Sequence, residues 1–172
     1  MEFLQNNLIY LIPVFGLVGI LVMAIQSAWV TKQPAGDATM TELAGHIADG
    51  SMAFLKAEWK VLTYFVIVAG VLLAWSGTME GTADNPIHSS PVIAIAFLIG
   101  AVFSAFAGYL GMRIATKANV RTTQAAKTSL PQALKVSFTG GTVMGFGVAG
   151  LAIFGLGGLF IILYYSFVPA GA

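Results

Sequence analysis

The chain has 172 residues, of which 58% are apolar and only 9% charged, with a formal net charge of +1 and no cysteine. A soluble domain carries roughly 25% charged residues, and a surface this poor in charge would self-associate in water. Without cysteine, a disulfide framework, a thiolate metal centre and a cysteine nucleophile are all excluded.

The first element is the apolar run over residues 8–29. Its lead-in, "MEFLQNN", contains Glu2 and no Lys or Arg, whereas a secretory n-region is basic. The run is also longer than the usual h-region of about 7–15 residues. It reads as a retained span. The turn signal "PAG" follows, and Thr39 and Glu42 then have the T-x-x-E spacing of a capping box. Met40, Leu43, Ala44 and Ile47 repeat at i, i+3, i+4 and i+7, the pattern of an amphipathic helix. That helix is expected to run into the second apolar stretch, 61–75, with a bend at Gly50.

Residues 77–91 read as a loop, with Ser89 or Ser90 capping a helix that begins at Pro91. The third apolar run, "VIAIAFLIGAVFSAFAGYL", continues without a break into "GMRIATKANVRTTQAA". As one helix this element would be about 50 Å long, some 20 Å more than a hydrocarbon core about 30 Å thick. Arg113, Lys117, Arg121, Gln124 and Lys127 fall in one sector of it, and Ala115, Ala118, Thr122, Ala125 and Ala126 lie opposite. The small-residue face is expected to meet the next helix. That helix starts at "TSLPQALKV", with Ser129 or Leu130 as its cap, and carries the small-residue stripe Gly141, Gly145, Ala149 and Ala152.

These elements describe an all-α polytopic membrane protein, one domain over 1–172. Its four transmembrane helices are expected at 8–29, 57–76, 92–112 and 138–167, with helices three and four extended into the cytoplasm. Apart from Glu58 and Lys60 in the lead-in to the second apolar run, these spans contain no Asp, Glu, Lys, Arg or His, and none alternates as a strand would. All eight basic residues lie between spans one and two (Lys32, Lys56, Lys60) or between spans three and four (Arg113, Lys117, Arg121, Lys127, Lys135). The positive-inside rule therefore places segments 30–56 and 113–137 in the cytoplasm, and both chain ends and the loop 77–91 outside. Trp29, Trp59 and Trp75, with Tyr164 and Tyr165, stand near span ends, as an interfacial aromatic belt or as bundle filling.

Chemistry-bearing groups are sparse. The seven acids, Glu2, Asp37, Glu42, Asp49, Glu58, Glu80 and Asp84, have no metal-loop spacing, and His46 and His88 stand alone. No ion path is marked by an intramembrane charge. No catalytic, cofactor-binding or metal-ligating residue is assigned. The stripe Arg113, Lys117, Arg121 and Lys127 is open to three readings: a solvated face, a contact for lipid headgroups, or a guide for an anionic substrate. A nucleic-acid role is excluded, because no aromatic residues interleave the charges.

Residues 111–156, "GMRIATKANVRTTQAAKTSLPQALKVSFTGGTVMGFGVAGLAIFGL", resemble the third-to-fourth helix region of membrane-bound inorganic pyrophosphatases. "IADGSMAFLKAEWK" is similar to that family's entry into its second helix, and the first span and "PAG" loop fit as well. The resemblance implies a pump that couples diphosphate hydrolysis to proton or sodium export in the plasma membrane. It implies a homodimer of many-helix subunits in two rings, with magnesium and diphosphate held by aspartate-rich inner helices and with potassium or sodium as a further cofactor of the full-length family. The helices present here resemble outer-ring elements, so the chain is expected to be an N-terminal part, inactive alone and bound to the remaining helices within the lipid bilayer. A chain of this kind is expected to expose its glycine-rich face. The other reading is a stand-alone four-helix scaffold or small transporter subunit.

Overall fold

In the computed structural model, residues 2–79 and 90–167 are described, with side chains over 9–79 and 90–166. They form α1 (Glu2–Lys32), α2 (Ala38–Ser76), α3 (Val92–Ala126) and α4 (Leu130–Phe167), with no strand among the described residues. The helices hold 31, 39, 35 and 38 residues, which at 1.5 Å per residue makes them about 45–60 Å long. All four are long and apolar enough to cross a membrane. The third and fourth helices are as long as expected. α2 is longer still, because the amphipathic segment over Met40–Ile47 is continuous with the apolar stretch and stays helical through Gly50.

α3 is the hub. It packs against α2 on one side and α4 on the other and touches α1, whereas α2 contacts no other helix. α1 lies chiefly along α4. The core is thin: Val30 and Val136 are its only fully buried large side chains among the described residues. Large apolar groups such as Phe15, Val61 and Leu156 stay 66–75% exposed. Lipid tolerates that surface, so cohesion must come from close helix contact instead of a large apolar core.

Glycine supplies that contact where α1 crosses α4. A Cβ on Gly16 would stand 2.5 Å from the Phe154 backbone nitrogen. One on Gly150 would stand 2.9 Å from the Ile20 nitrogen and 3.0 Å from the Gly16 oxygen. The two backbones touch here. The small stripe expected on α4 lies on a different face. Gly141, Gly145, Ala149 and Ala152 are exposed, with open space beside Gly141 and Gly145. The packed positions are Gly140, Val143, Gly147 and Gly150, spaced by alternating threes and fours, and Gly157 two turns further on.

The same spacing corrects the small face of α3. Ala118 and Ala125 are buried, but Ala115 and Ala126 are exposed and Thr122 is half-buried. Steps of four drift about 40° each around a helix, so Ala126 walks off the contact, whereas Gly111, Ile114, Ala118 and Ala125 hold it. The expected partner is the observed one: Ala118 stands 2.7 Å from where a Gly140 Cβ would be. Trp29 packs against both small apolar clusters, with the Lys135 Nζ 5.4 Å from its ring centroid, so it fills the bundle.

Helix ends also differ from expectation in two cases. α2 is capped by Asp37, whose Oδ1 accepts from the Met40 N–H at 2.9 Å, so Thr39 lies inside the helix and not at its cap. At α4 the cap is Ser129: its carbonyl accepts from the Ala133 N–H at 3.1 Å, and its Oγ from Gln132 at 3.4 Å. α3 begins at Val92 and not Pro91, which is itself the N-cap and offers no side-chain cap bond; Ser90, one position before it, has its Oγ 3.4 Å from the Val92 nitrogen, and Ser89 lies outside the described residues. Gly77, at the end of α2, lets Ser90 and Pro91 come close, since a Cβ there would stand 2.6 Å from the Pro91 nitrogen.

Candidate functional site

The basic stripe of α3 was the strongest sequence candidate for a ligand surface, and the fold divides it. Arg121 reaches the end of α1. Its Nε and Nη2 donate to the Thr31 carbonyl at 3.3 and 3.1 Å, and its Nη1 donates to the Lys117 carbonyl at 2.9 Å. The last turn of a helix leaves carbonyls without intrahelical partners and carries partial negative charge. A guanidinium satisfies both needs at once. The neighbouring carbonyls are met locally: Gln33 donates its Nε2 to Trp29 at 3.1 Å and its backbone N–H to Val30 at 3.1 Å.

Lys127, six positions further along α3, holds the start of α2. Its Nζ lies 3.2 Å from the Asp37 Oδ2, with both side chains more than half exposed. The Met40 N–H, and after it the Lys127 ammonium, hold the Asp37 carboxyl below the usual carboxylate range. Between these two anchors runs the connection 33–37. Gly36 takes φ +95° there, and a Cβ on it would meet the Met40 Sδ at 2.6 Å and the Gln124 Oε1 at 3.1 Å. Only glycine takes that backbone conformation readily. α3 therefore clasps the α1–α2 connection at both ends.

Lys117 lines a small hollow with Ala35, Gly45, Ala48 and Val120 between α2 and α3. Arg113, nearest the apolar run, turns the other way along its own helix. Its Nη1 donates to the Tyr109 hydroxyl at 3.0 Å, and its guanidinium carbon lies 5.9 Å from that ring's centroid. The stripe is thus two devices, a clasp and an interfacial cluster. Sequence reasoning missed Thr31 and Asp37 as its partners. The Thr31 contact is to a backbone carbonyl, which leaves no mark on residue choice. Asp37 was legible as a cap, because an Asp directly after "PAG" precedes the apolar periodicity.

The other candidate groups stay apart. His46 lies 4.0 Å from Glu42 on an exposed helix face. Among the described residues, no three of His, Cys, Asp and Glu come together in a way that could hold a metal ion. Two buried side-chain oxygens, on Gln26 and Gln124, lack hydrogen-bond partners. His88, Glu80 and Asp84 lie outside the described residues.

The sequence pattern of the inorganic H+ pyrophosphatase family matches residues 17–170. A K(+)-stimulated pyrophosphate-energized sodium pump of Thermotoga maritima is 39% identical over 151 residues, 87% of this chain and 19% of its own length. A K(+)-insensitive pyrophosphate-energized proton pump of Methanosarcina mazei is 35% identical over 158 residues, 92% of this chain and 22% of its own. A Clostridium tetani protein is 45% identical over 130 residues, 76% of this chain and 18% of its own. The chain thus spans about a fifth of the length of the curated relatives it matches. The match runs from the Gly19–Gly150 crossing through the clasp of Arg121 and Lys127 to the far end of α4. This chain is an integral membrane protein and belongs to the inorganic H+ pyrophosphatase family.

Proposed function

We propose that the chain contributes membrane-embedded helical structure to a pyrophosphate-energised proton or sodium pump, and that diphosphate is bound and hydrolysed by groups outside it. One observation carries this reading. Arg121 and Lys127, two of the four cations in the stripe that could have guided an anionic substrate, are engaged by the Thr31 carbonyl and by Asp37. A cation already spent on a helix end and an ion pair is a poor substrate ligand, since binding would first have to break the clasp.

Among the described residues, magnesium, which the family resemblance implies, finds no fitting donor set. It prefers oxygen ligands in an octahedral arrangement. Asp37, the carboxylate beside the stripe, is occupied by Met40 and Lys127.

In this reading the basic ends of the helices face the cytoplasm of a plasma membrane and both chain ends face outward, as the positive-inside rule requires. The exposed face with Gly141, Gly145, Ala149 and Ala152 meets the pump's remaining helices, and the whole pump is a homodimer. Purified chain incubated with diphosphate and magnesium is expected to release no phosphate above background. Turnover that survives further purification would overturn the proposal.

A further inference from the structure

Where α2 and α3 emerge from their apolar stretches, the side chains that the clasp does not use gather at one level. Trp59 on α2 and Tyr109 on α3 lie with ring centroids 6.3 Å apart and planes tilted by 44°. Amphipathic rings of this kind settle at the headgroup boundary. Arg113 stands one turn beyond Tyr109, with a single N–H engaged by that hydroxyl; a guanidinium has five. Lys56 stands about one turn beyond Trp59 on the antiparallel helix, and Lys60 directly follows it.

Helical repeat puts these cations on one rim. Lys56 is eleven residues from Gly45, about three full turns, and Arg113 is four from Lys117, about one turn. Gly45 and Lys117 line the same hollow in the α2–α3 seam. Glu58 is about 200° around α2 from Lys56 and faces away from that rim. Among the described residues, no carboxylate lies within 4.0 Å of Lys56, Lys60 or Arg113; the ion pairs formed are His46–Glu42 and Lys127–Asp37.

We propose that this end of the α2–α3 seam binds the phosphate of an anionic phospholipid, with Arg113, Lys56 and Lys60 around the headgroup and Trp59 and Tyr109 beneath it. Charge complementarity and depth select that occupant. A phosphodiester at the boundary meets three cations without a neutralising partner, and its acyl chains continue along the exposed apolar flank of α2 at Ile67 and Val71. The cations that pair within the protein lie further from the apolar runs. The site rests on insertion of the chain into a bilayer.

The test uses the full chain with Trp29→Phe and Trp75→Phe, which leaves Trp59 as its only tryptophan. It is reconstituted in phosphatidylcholine vesicles containing an equal fraction of brominated phosphatidylglycerol or brominated phosphatidylcholine. Quenching of Trp59 is expected to show a preference for the anionic lipid of about five- to tenfold, because each basic residue near the surface favours it and salt screens part of that attraction. Lys56→Gln with Arg113→Gln should reduce the preference to within about twofold, whereas Lys135→Gln, on α4, should preserve it. Equal quenching by both lipids, or an equal loss with Lys135→Gln, would overturn the site while leaving insertion intact. No quenching by either lipid would overturn the insertion on which it rests. Native mass spectrometry of the chain with all its tryptophans gives a second reading. Phosphatidylglycerol adducts should outlast phosphatidylcholine adducts, and should do so less in the Lys56→Gln, Arg113→Gln chain; equal retention would contradict the proposal.

Discussion

Gly150→Leu is expected to separate α1 from α4 and to lower stability by about 3 kcal/mol or more, at or beyond the upper end for overpacking. The reason is that the space is filled by backbone. A Cβ at this position already meets the Ile20 nitrogen and the Gly16 oxygen at 2.9 and 3.0 Å, and neither can rotate away as a side chain could. The helices must move apart, and the contacts of Gly16 with Phe154 and of Gly19 with Gly150 go with them. Gly145→Ala is the informative comparison. Nothing lies within 4 Å of the added methyl, so the gain in helix propensity, about 1 kcal/mol, should appear without an opposing cost. Unfolding midpoints in mixed detergent titrations should move in opposite directions for the two variants. A Gly150→Leu midpoint equal to that of the unaltered chain would refute the crossing.

The second large effect concerns the clasp. Arg121→Gln is expected to free the last turn of α1 and the connection 33–37, at a cost of about 1–2 kcal/mol. This combines the helix-end charge with charge-assisted hydrogen bonds in a half-buried setting. Limited proteolysis should cut the connection about tenfold faster, the population change that about 1.4 kcal/mol produces. Arg121→Lys should recover less than half of the loss. An ammonium keeps the charge but cannot join the Thr31 and Lys117 carbonyls with one planar fork. Asp37→Asn should matter less, because asparagine caps a helix about as well as aspartate and the lost ion pair is exposed. Equal cleavage of Arg121→Gln and the unaltered chain would show that the guanidinium does not hold the connection.

The four helices could be read from the chain because lipid-facing apolar runs are long and free of charge, a signal that needs no tertiary knowledge. The pairing of α3 with α4 was also legible, through the short turn at "TSLPQ" and the small residues that flank it. Which small residues face inward was not. The stripe expected on α4 misses the contact and the face expected on α3 holds it only at Ala118 and Ala125, because two helices that stay together use alternating threes and fours, as Gly140, Val143, Gly147 and Gly150 do. With twenty glycines in the chain, several stripes look plausible and only the crossing geometry selects one. The basic stripe shows the other limit. Its composition was plain, but its chief partner is the backbone of Thr31, ninety residues away, and a carbonyl is the same in every sequence.

Four membrane crossings would place the two basic connections on one side of the bilayer and the end of α2 on the other. Because the chain lacks cysteine, single cysteines at Ala35, Thr78 and Thr128 can report sidedness without background. In sealed right-side-out vesicles, a membrane-impermeant maleimide should label position 78 and leave 35 and 128 unlabelled until the membrane is opened. Labelling of position 78 on the same side as position 128 would contradict the architecture.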